Sequence, residues 1–545
     1  MTKPFLESCP LVVSTLSPVH VGCAEDYQPT EYVMDEGIFY LFNPVEALAD
    51  NQAAREELLK ICNGQGETVI KDVQKFFFKR KEELIPFSSH RIPVGAEVQD
   101  FYDRRVGKTI QAGNNTVNKL NIERTSHVLG DEHPILPGSS LKGSIRTALL
   151  DFVHGGKPLA NIKDAENRKK NWKELAPIAT TLKLCVPKDF AQDPMRLIRM
   201  GDLSVRVKPW VGNDILFALN FKTSGGVGKG PYQTLECLPG LMLEFMEGDL
   251  TFLDPSQVRH TDADVTWGFK KVVARCNRFY QEVHLIRELR QLEAYLDPSW
   301  RDAMLRSLGE GGGLKRLLDS GRAFLLRVGR HSGAESVTLN GARRIYQPQY
   351  KKWVSKPSTT WLAGDSVKQE KNLLPFGWLL VELNDEKRRP LVETVPEIAK
   401  LAEGRLEKKK ESLAASDRKL EELRKKIEGR RLQEEKDRVE RQQRETEEQE
   451  CKARLAAMSE NQRRIEGFRK QMEATRLLEP VGGKLWGDIQ ILIRDVEGKR
   501  QEWLREELEE LAQVCNEELP KKLKGADKKL KELRQRLAHL MGGAS

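Results

Sequence analysis

Residues 135–150 read ILPGSSLKGSIRTALL, a turn containing glycine and serine that runs directly into a helical pattern. We expect Ser139 or Ser140 to cap this helix, because a serine hydroxyl accepts hydrogen bonds from the free backbone amides of a first turn. Apolar residues recur at helical spacing and form one stripe: Leu141, Ile145, Ala148 and Leu149. The stretch therefore predicts a helix with one face in the core.

The start of this helix also suits a phosphate group. Free amides and the positive end of the helix dipole favour an anion, and Lys142 and Arg146 share one face because they are four residues apart. The predicted phosphate-contacting residues are Gly138, Ser139, Ser140, Lys142, Gly143 and Arg146. An ordinary capped helix with two solvated bases accounts for the spacing about equally well.

Composition sets broad bounds. A chain of 545 residues is too long for one core, so we expect two or three domains. The net charge, 90 − 81 = +9, permits an anionic partner without requiring one. The eight cysteines include no C-x-x-C pair and the nine histidines no H-x-H or H-E-x-x-H, so we expect neither a metal centre nor another cofactor. With no apolar run of about 20 residues, a cytoplasmic protein without a membrane partner is expected.

The first third of the chain mixes strand and helix signals. Residues 11–16 form a short β-type run, and Asp35-Glu36-Gly37 between two apolar runs predicts a hairpin. Pro44 begins a pattern that predicts one helix through about Cys62. Residues 86–133 show little periodicity and are interpreted as an inserted loop or β-ribbon.

Two further glycine-rich turns are candidate sites. Residues 223–232 read TSGGVGKGPY, in which the backbone around Gly226, Gly228 and Lys229 could hold a phosphate, although a plain surface loop is the commoner outcome. After a predicted strand at residues 324–328, small residues let the chain approach a ribose-phosphate backbone closely. The candidates in this second turn are Arg330, His331, Ser332 and Gly333.

The composition changes after Pro396. Leu406, Leu413, Leu420 and Ile427 recur every seven residues, which predicts a coiled-coil seam. Residues 428–450 consist almost wholly of charged residues and glutamine and can bury little. Further helices are predicted over residues 486–514 and 520–541.

The motifs together resemble a known family. Besides residues 135–150, the resemblance rests on TLSPVHVG at 15–22, YVMD at 32–35, residues 118–124, RVGRHSGAESV at 327–337 and LPFGW at 374–378. In this order they resemble the RAMP superfamily of CRISPR-associated proteins, and within it the subunit that caps the crRNA in type III-A (Csm) effector complexes. The resemblance covers about residues 10–385.

The resemblance implies an α+β fold. It implies two RRM-like (ferredoxin-like) RAMP lobes, at residues 1–155 and 156–390, with the insertion at about 86–133 lying over the guide RNA like a thumb. The α-helical coiled-coil extension at 391–545 lies outside it.

The resemblance also implies a function. The expected role is a non-catalytic subunit that binds crRNA and caps the 3′-end side of the filament. Its expected partners are crRNA, target RNA, a neighbouring backbone RAMP subunit, a small helical subunit and a maturation nuclease. His20 and Gly22 belong to the family pattern, and His20 is expected to have a structural or RNA-contacting role. A guide varies in sequence, so its holder should contact phosphates and 2′-hydroxyls.

Two alternatives stay open. The first is a metal-independent endoribonuclease that processes pre-crRNA with His20 as general acid or base. A catalytic role for the loop carboxylate of Asp131 has no supporting signature. The second alternative is an interaction adaptor whose active part is the C-terminal coil.

Overall fold

The first long strand lies inside a seven-stranded sheet. It spans Leu6–Thr15, and its buried second half overlaps the strand predicted at residues 11–16. The strand pairs antiparallel with Met246–Leu253 on one side and with Trp378–Leu383 on the other. Because it has neighbours on both edges, its backbone groups are satisfied within the sheet.

A computed structural model describes residues 5–64, 69–108, 110–112, 115–117, 120–130, 133–156, 193–207, 210–228, 231–258, 267–343, 345–347, 352–475 and 477–542. The chain divides into two compact units, Met1–Ile427 and Glu428–Ser545. The division falls inside one long helix, Pro396–Ala457. The predicted domain boundaries near residues 155 and 390 stay predictions.

The strands in chain order are β1 (Leu6–Thr15), β2 (Gly22–Tyr27), β3 (Tyr32–Asp35), β4 (Ile38–Phe42), β5 (Ser88–Pro93), β6 (Ile110–Ala112), β7 (Asn115–Val117), β8 (Ile122–Thr125), β9 (Ile135–Leu136), β10 (Ile198–Met200), β11 (Leu203–Val205), β12 (Asp214–Lys222), β13 (Gln233–Cys237), β14 (Met246–Leu253), β15 (Ala323–Arg327), β16 (Ile345–Gln347), β17 (Lys352–Val354), β18 (Thr359–Gly364), β19 (Leu374–Pro375), β20 (Trp378–Leu383), β21 (Glu479–Pro480) and β22 (Leu523–Lys524).

The α-helices in chain order are α1 (Pro44–Ala47), α2 (Gln52–Cys62), α3 (Val69–Lys79), α4 (Lys81–Leu84), α5 (Ala96–Arg105), α6 (Gly138–His154), α7 (Phe269–Cys276), α8 (Ile286–Gln291), α9 (Pro298–Leu308), α10 (Gly313–Asp319), α11 (Leu391–Thr394), α12 (Pro396–Ala457), α13 (Glu460–Ala474), α14 (Lys484–Gly498), α15 (Arg505–Gln513) and α16 (Asp527–Gly542). A π-helical segment, Asn277–Leu285, joins α7 to α8. Among the described helices, none combines the length and the apolar character needed to cross a membrane.

Two sheets build the body of the first unit. One has the strand order β15-β20-β1-β14-β11-β9, with β10 also paired to β14, and the other has the order β19-β18-β12-β13-β8-β2. Side chains from both sheets and from α6 share one hydrophobic core, which includes Val13, Ile145 and Phe217. Helices and sheets therefore form the expected α+β class.

The hairpin near residue 36 is confirmed, whereas the helix after it is not one piece. β3 and β4 are joined by Glu36 and Gly37, both at positive φ (50° and 77°), which matches the backbone twist that a two-residue hairpin loop needs. The predicted helix is split into α1 and α2. The side chain of Asn51 accepts a hydrogen bond from the Ala54 amide and starts α2 anew.

The segment at residues 86–133 is more regular than the sequence predicts. It contains β5, the ten-residue helix α5, the β6–β7 hairpin and β8. The interpretation as a loop or ribbon missed α5 because only Val98, Phe101 and Tyr102 of that helix are buried. Three apolar positions in a strongly polar helix give a weak periodic signal.

The heptad leucines pack on the body of their own unit. Leu420 and Leu423 lie in a cluster with Val33, Phe76 and Phe77. Leu406 and Leu413 are partly buried against the main core. The predicted coiled-coil seam is therefore covered by this chain, at least up to Leu423.

The second unit is a helical bundle with its own core. Its buried side chains include Ile465, Ile489, Leu508 and Leu533, from four different helices. The predicted break at residues 480–483 is confirmed between α13 and α14. The predicted single helix at 486–514 is wrong, because the chain leaves helical geometry between α14 and α15.

Candidate nucleic-acid interface

Helix α6 begins at Gly138 through a contact that the sequence does not reveal. The amide of Gly138 donates to Asp202 Oδ1 at 2.7 Å, and Pro137 is the N-cap. A Cβ on Gly138 would lie 2.2 Å from the carbonyl oxygen of Met200, so only glycine fits. The predicted capping by Ser139 or Ser140 is wrong, because the N-cap is Pro137 and both serines lie within the helix. The carboxylate of Asp202 supplies the anion at the helix start instead.

The apolar stripe of α6 is confirmed, and the opposite face carries the predicted cations. Leu141, Ile145, Ala148 and Leu149 are at most 1% exposed. Ser139 and Gly143 are exposed, and Ser140, Lys142 and Arg146 are half-buried.

The two cations of α6 differ in their surroundings. Arg146 Nη1 lies 2.7 Å from Asp193 Oδ2. Lys142 makes no ion pair with any residue in the described ranges. Partial burial lowers its pKa, an effect that the charge of Asp193 opposes and the charges of Arg146 and Arg199 reinforce. Lys142 is therefore the cation of α6 that is available to an external anion.

The turn after β15 closes tightly on the loop between β1 and β2. Gly329 has a φ of 79°, and a Cβ there would lie 2.3 Å from the carbonyl oxygen of His20. The amide of Arg330 donates to the same oxygen at 2.8 Å. The hydroxyl of Ser332 donates to the carbonyl of Gly329 at 2.8 Å and is buried. Gly333 is exposed at a φ of 82°.

The side chains of Arg330 and His331 point to different partners. The guanidinium of Arg330, 42% exposed, forms an ion pair with Glu123. His331 Nε2 lies 2.7 Å from Gln233 Oε1, and its ring stacks on Trp361 with 4.6 Å between centroids. Burial, then the charge of Arg330, lowers the pKa of His331 to about 4. The ring is therefore neutral at pH 7 and adds no positive charge to the turn.

His20 lies entirely inside the protein. It is 0% exposed, its Nδ1 lies 2.7 Å from the Glu236 carbonyl oxygen, and burial lowers its pKa. Its Nε2 has no hydrogen-bond partner among the described residues. Gly22 is exposed, and a Cβ on it would lie 3.2 Å from that Nε2. The position of His20 favours the structural role over the RNA-contacting one.

The glycine-rich turn that contains Gly226 and Gly228 is held in place by hydrogen bonds to its neighbours. The amide of Gly226 donates to the Tyr295 hydroxyl at 2.6 Å, and the amide of Gly228 donates to the Asn220 carbonyl at 2.7 Å. A Cβ on Gly228 would lie 2.1 Å from Asn220 Oδ1. These two amides are therefore not free to bind a phosphate. Lys229 lies outside the described residues.

The predicted segments meet around the end of β15. The Ser144 hydroxyl of α6 donates to the Arg327 carbonyl at 2.9 Å. A cavity of about 60 Å³ is lined by Thr223, Arg327 and Gly333, which brings the edge of the glycine-rich turn to the turn after β15. The contacts of Arg330 with His20 add the β1–β2 loop. The start of α6 and both turns thus share one region of the first unit.

Sequence reasoning missed the acids and one aromatic group of this region. Asp193 and Glu123 pair with Arg146 and Arg330, and neither acid has a spacing that reveals its partner. The guanidinium carbons of Arg275 and Arg278 lie 3.1 Å and 5.2 Å from the centroid of the Phe152 ring at the end of α6. The i, i+3 spacing of these arginines is the one local signal that places them on one helix face.

The model of the RAMP superfamily matches residues 12–230. A curated protein described as "CRISPR system Cms protein Csm5", from Methanocaldococcus jannaschii, is 25% identical over 178 residues, which cover 32% of this chain and 38% of that protein. The chain thus spans about two fifths of the length of this curated relative.

Two solved structures are similar over a larger share of the chain. One is a chain of a cryo-EM structure of a Csm–crRNA–target RNA ternary complex of a type III-A CRISPR-Cas system, with a TM-score of 0.40, 15% identity, and coverage of 69% of this chain and 100% of that one. The other is the crystal structure of T. onnurineus Csm5, with a TM-score of 0.38, 16% identity, and coverage of 68% and 99%. The match to a family model is thus confined to residues 12–230, where this chain is similar to the RAMP superfamily.

Proposed function

We propose that this chain is a non-catalytic crRNA-binding subunit of a type III-A CRISPR effector complex. It would cap the 3′-end side of the crRNA filament and support crRNA maturation and antiviral RNA targeting. The match of residues 12–230 to the RAMP superfamily model and the similarity to a protein named Csm5 support this assignment.

One structural observation carries the proposal. The start of α6 and the turn after β15 are joined by the 2.9 Å bond from Ser144 Oγ to the Arg327 carbonyl. Exposed small residues, Ser139, Gly143 and Gly333, lie in these two segments beside the cations Lys142 and Arg330. Small residues allow a sugar-phosphate backbone to approach, and the cations attract its charge without reading its bases.

The test is the salt dependence of guide binding. Lys142→Gln removes the half-buried cation that has no ion-pair partner among the described residues. The slope of log K against log salt concentration should become shallower by about 0.7, the value for one phosphate contact on a single strand. The loss should be the same for guides of different spacer sequence.

Lys60→Gln is the matched control, because Lys60 is exposed on α2 and lies outside the proposed interface. It should leave the slope unchanged. A Lys142→Gln protein with the slope and guide occupancy of the unsubstituted chain would contradict the proposed path of the RNA.

The alternative, a metal-independent endoribonuclease, has less support. A general acid–base must reach the reacting atoms, and His20 is 0% exposed with its Nδ1 bonded to the Glu236 carbonyl. Purified protein incubated with repeat RNA in EDTA should therefore leave the RNA intact. Cleavage that His20→Ala abolishes would favour the enzyme.

The finer assembly remains part of the proposal. The chain would act in the cytoplasm with crRNA, target RNA, a backbone RAMP neighbour, a small helical subunit and a maturation nuclease. We keep the two RRM-like lobes, the thumb-like insertion and the coiled-coil extension as predictions, although Leu420 and Leu423 packing on their own unit weighs against a coil at those positions. Deleting residues 428–545 and measuring complex assembly tests whether the extension recruits a partner.

A further inference from the structure

Three potential metal ligands meet at an edge of the six-stranded sheet. Cys23 and Glu25 belong to the edge strand β2, and His127 follows its neighbour β8. One ligand atom from each residue, a sulfur, a carboxylate oxygen and a ring nitrogen, lies within 4.8 Å of the other two. No spacing motif in the sequence joins these positions, so the sequence alone predicts no metal centre.

A β-bulge places the first two ligands. The β2–β8 register shifts between Gly22 and Asp26, and Ala24 adopts a φ of 65°. This left-handed residue lies between Cys23 and Glu25, so the normal alternation of the strand is interrupted there. Bulges commonly re-aim side chains at functional positions.

The imidazole of His127 is oriented in a way that suits a metal ligand. Its Nδ1 lies 3.2 Å from the Thr125 carbonyl oxygen, to which it donates. The other ring nitrogen, Nε2, lies 3.9 Å from Glu25 Oε2. Metal-binding histidines usually donate their second nitrogen to a carbonyl in this way. The ring is 8% exposed, so its orientation is held by the surrounding protein.

The other two ligands need only small movements. The thiol of Cys23 donates to the Arg124 carbonyl at 3.6 Å and is half-buried. Glu25 is 52% exposed and free to rotate toward the other two ligands, although its Oε2 also lies 3.4 Å from Arg124 Nη1. A carboxylate has a second oxygen, so Arg124 can hold one oxygen while the other binds a cation.

We propose that Cys23, Glu25 and His127 form a zinc site with water as the fourth ligand. A thiolate, an imidazole and a carboxylate are the ligand types that Zn²⁺ accepts in tetrahedral geometry, and a thiolate disfavours Mg²⁺ and Ca²⁺. The bound ion would tie the edge strand β2 to the segment after β8. The Ser126 amide donates to the Val21 carbonyl at 2.7 Å. An ion bound beside Ser126 would therefore also fix the loop that carries His20 and Gly22.

The experiment uses the full chain, stripped with a chelator under reducing conditions and titrated with Co²⁺ alone. Binding should show one equivalent of Co²⁺ with a thiolate-to-cobalt charge-transfer band in the near ultraviolet, and Zn²⁺ should displace it. Cys23→Ser should abolish the band. His127→Gln and Glu25→Gln should each weaken Co²⁺ binding at least about tenfold.

Cys62→Ser and Cys451→Ser are the matched controls, because both thiols are exposed and lie outside the cluster. They should keep the band. Circular dichroism of each variant shows that it is folded, and a folded chain without the band, or a band that Cys23→Ser leaves intact, would overturn the proposal. The readout needs no RNA, so the site can fail while the proposed function stands.

Discussion

The guanidinium of Arg146 forms an ion pair with Asp193, with 2.7 Å between Nη1 and Oδ2. Arg146 lies on the face of α6 that carries Lys142, and Asp193 is only 12% exposed at its side chain. The acid therefore offsets part of the positive charge that the proposed RNA path would use. It also accepts a hydrogen bond from the Met195 amide, which an asparagine side chain could still accept.

Asp193→Asn should tighten guide RNA binding by about threefold at low salt, because an ion pair with a partly exposed member, here Arg146, is worth about 0.2–1 kcal/mol. The gain should shrink as salt is added. The dissociation constant measured at two salt concentrations checks this.

Asp319→Asn is the control for net charge, since Asp319 is exposed and pairs with Lys315 on α10. It should change binding little. Equal gains in both variants, or weaker binding by Asp193→Asn, would show that Arg146 does not face the RNA.

Gly138→Ala should destabilise the first unit by about 1–3 kcal/mol, the usual cost of forcing an added methyl into a packed site. The added Cβ would lie 2.2 Å from the Met200 carbonyl and 2.6 Å from that of Gly201. Denaturant unfolding followed by circular dichroism measures the effect.

Gly143→Ala is the matched control within the same helix, because no atom lies within 4 Å of its added Cβ. It should stabilise the fold by about 0.5–1 kcal/mol through helix propensity. Two variants of equal stability would mean that the approach of α6 to residues 200–201 is looser than described.

His284 should make the first unit less stable in mild acid. Burial, then the charge of Arg287, lowers the pKa of His284 to about 3. The unfolded chain takes up a proton near pH 6.5 while the folded one does not, so the folded state loses stability as pH falls from about 6.5 toward 3.

Between pH 7.5 and pH 5, the unsubstituted chain should lose about 2 kcal/mol more unfolding free energy than His284→Gln. The pKa values of His20, His90 and His331 are lowered as well, so His284→Gln should keep a smaller loss. His539→Gln, at an exposed position of α16, should behave as the unsubstituted chain. An identical pH dependence for His284→Gln would contradict the assignment.

Leu420→Ala should cost about 2–5 kcal/mol, the range for removing a buried leucine side chain. Leu420 is 7% exposed and packs with Val33, Phe76 and Leu423. Thermal unfolding checks the prediction. Leu432→Ala, 55% exposed on the same helix, should change the stability by less than about 0.5 kcal/mol.

Local patterns predicted several elements correctly. Leu141 and Ile145, in the apolar stripe of α6, are both 0% exposed. Glu36 and Gly37 form the predicted hairpin turn. The same reasoning failed for α5 and for the cap of α6. Few apolar side chains mark α5, and the anion at the start of α6 is Asp202, which is distant in sequence.

The amino-acid sequence by itself determined the features that depend on residues a few positions apart: the helix at residues 138–154, the turn chemistry at 36–37, and the family motifs along residues 12–230. Only the tertiary structure decided which charges are neutralised and which ligands meet. Arg330 forms an ion pair with Glu123, which lies 207 residues away along the chain. Cys23 lies close to His127 because their strands, β2 and β8, pair around a bulge. Periodicity and turn geometry act within one or two turns of chain, whereas ion pairs and ligand clusters depend on sheet register, which is set by the packing of the whole core.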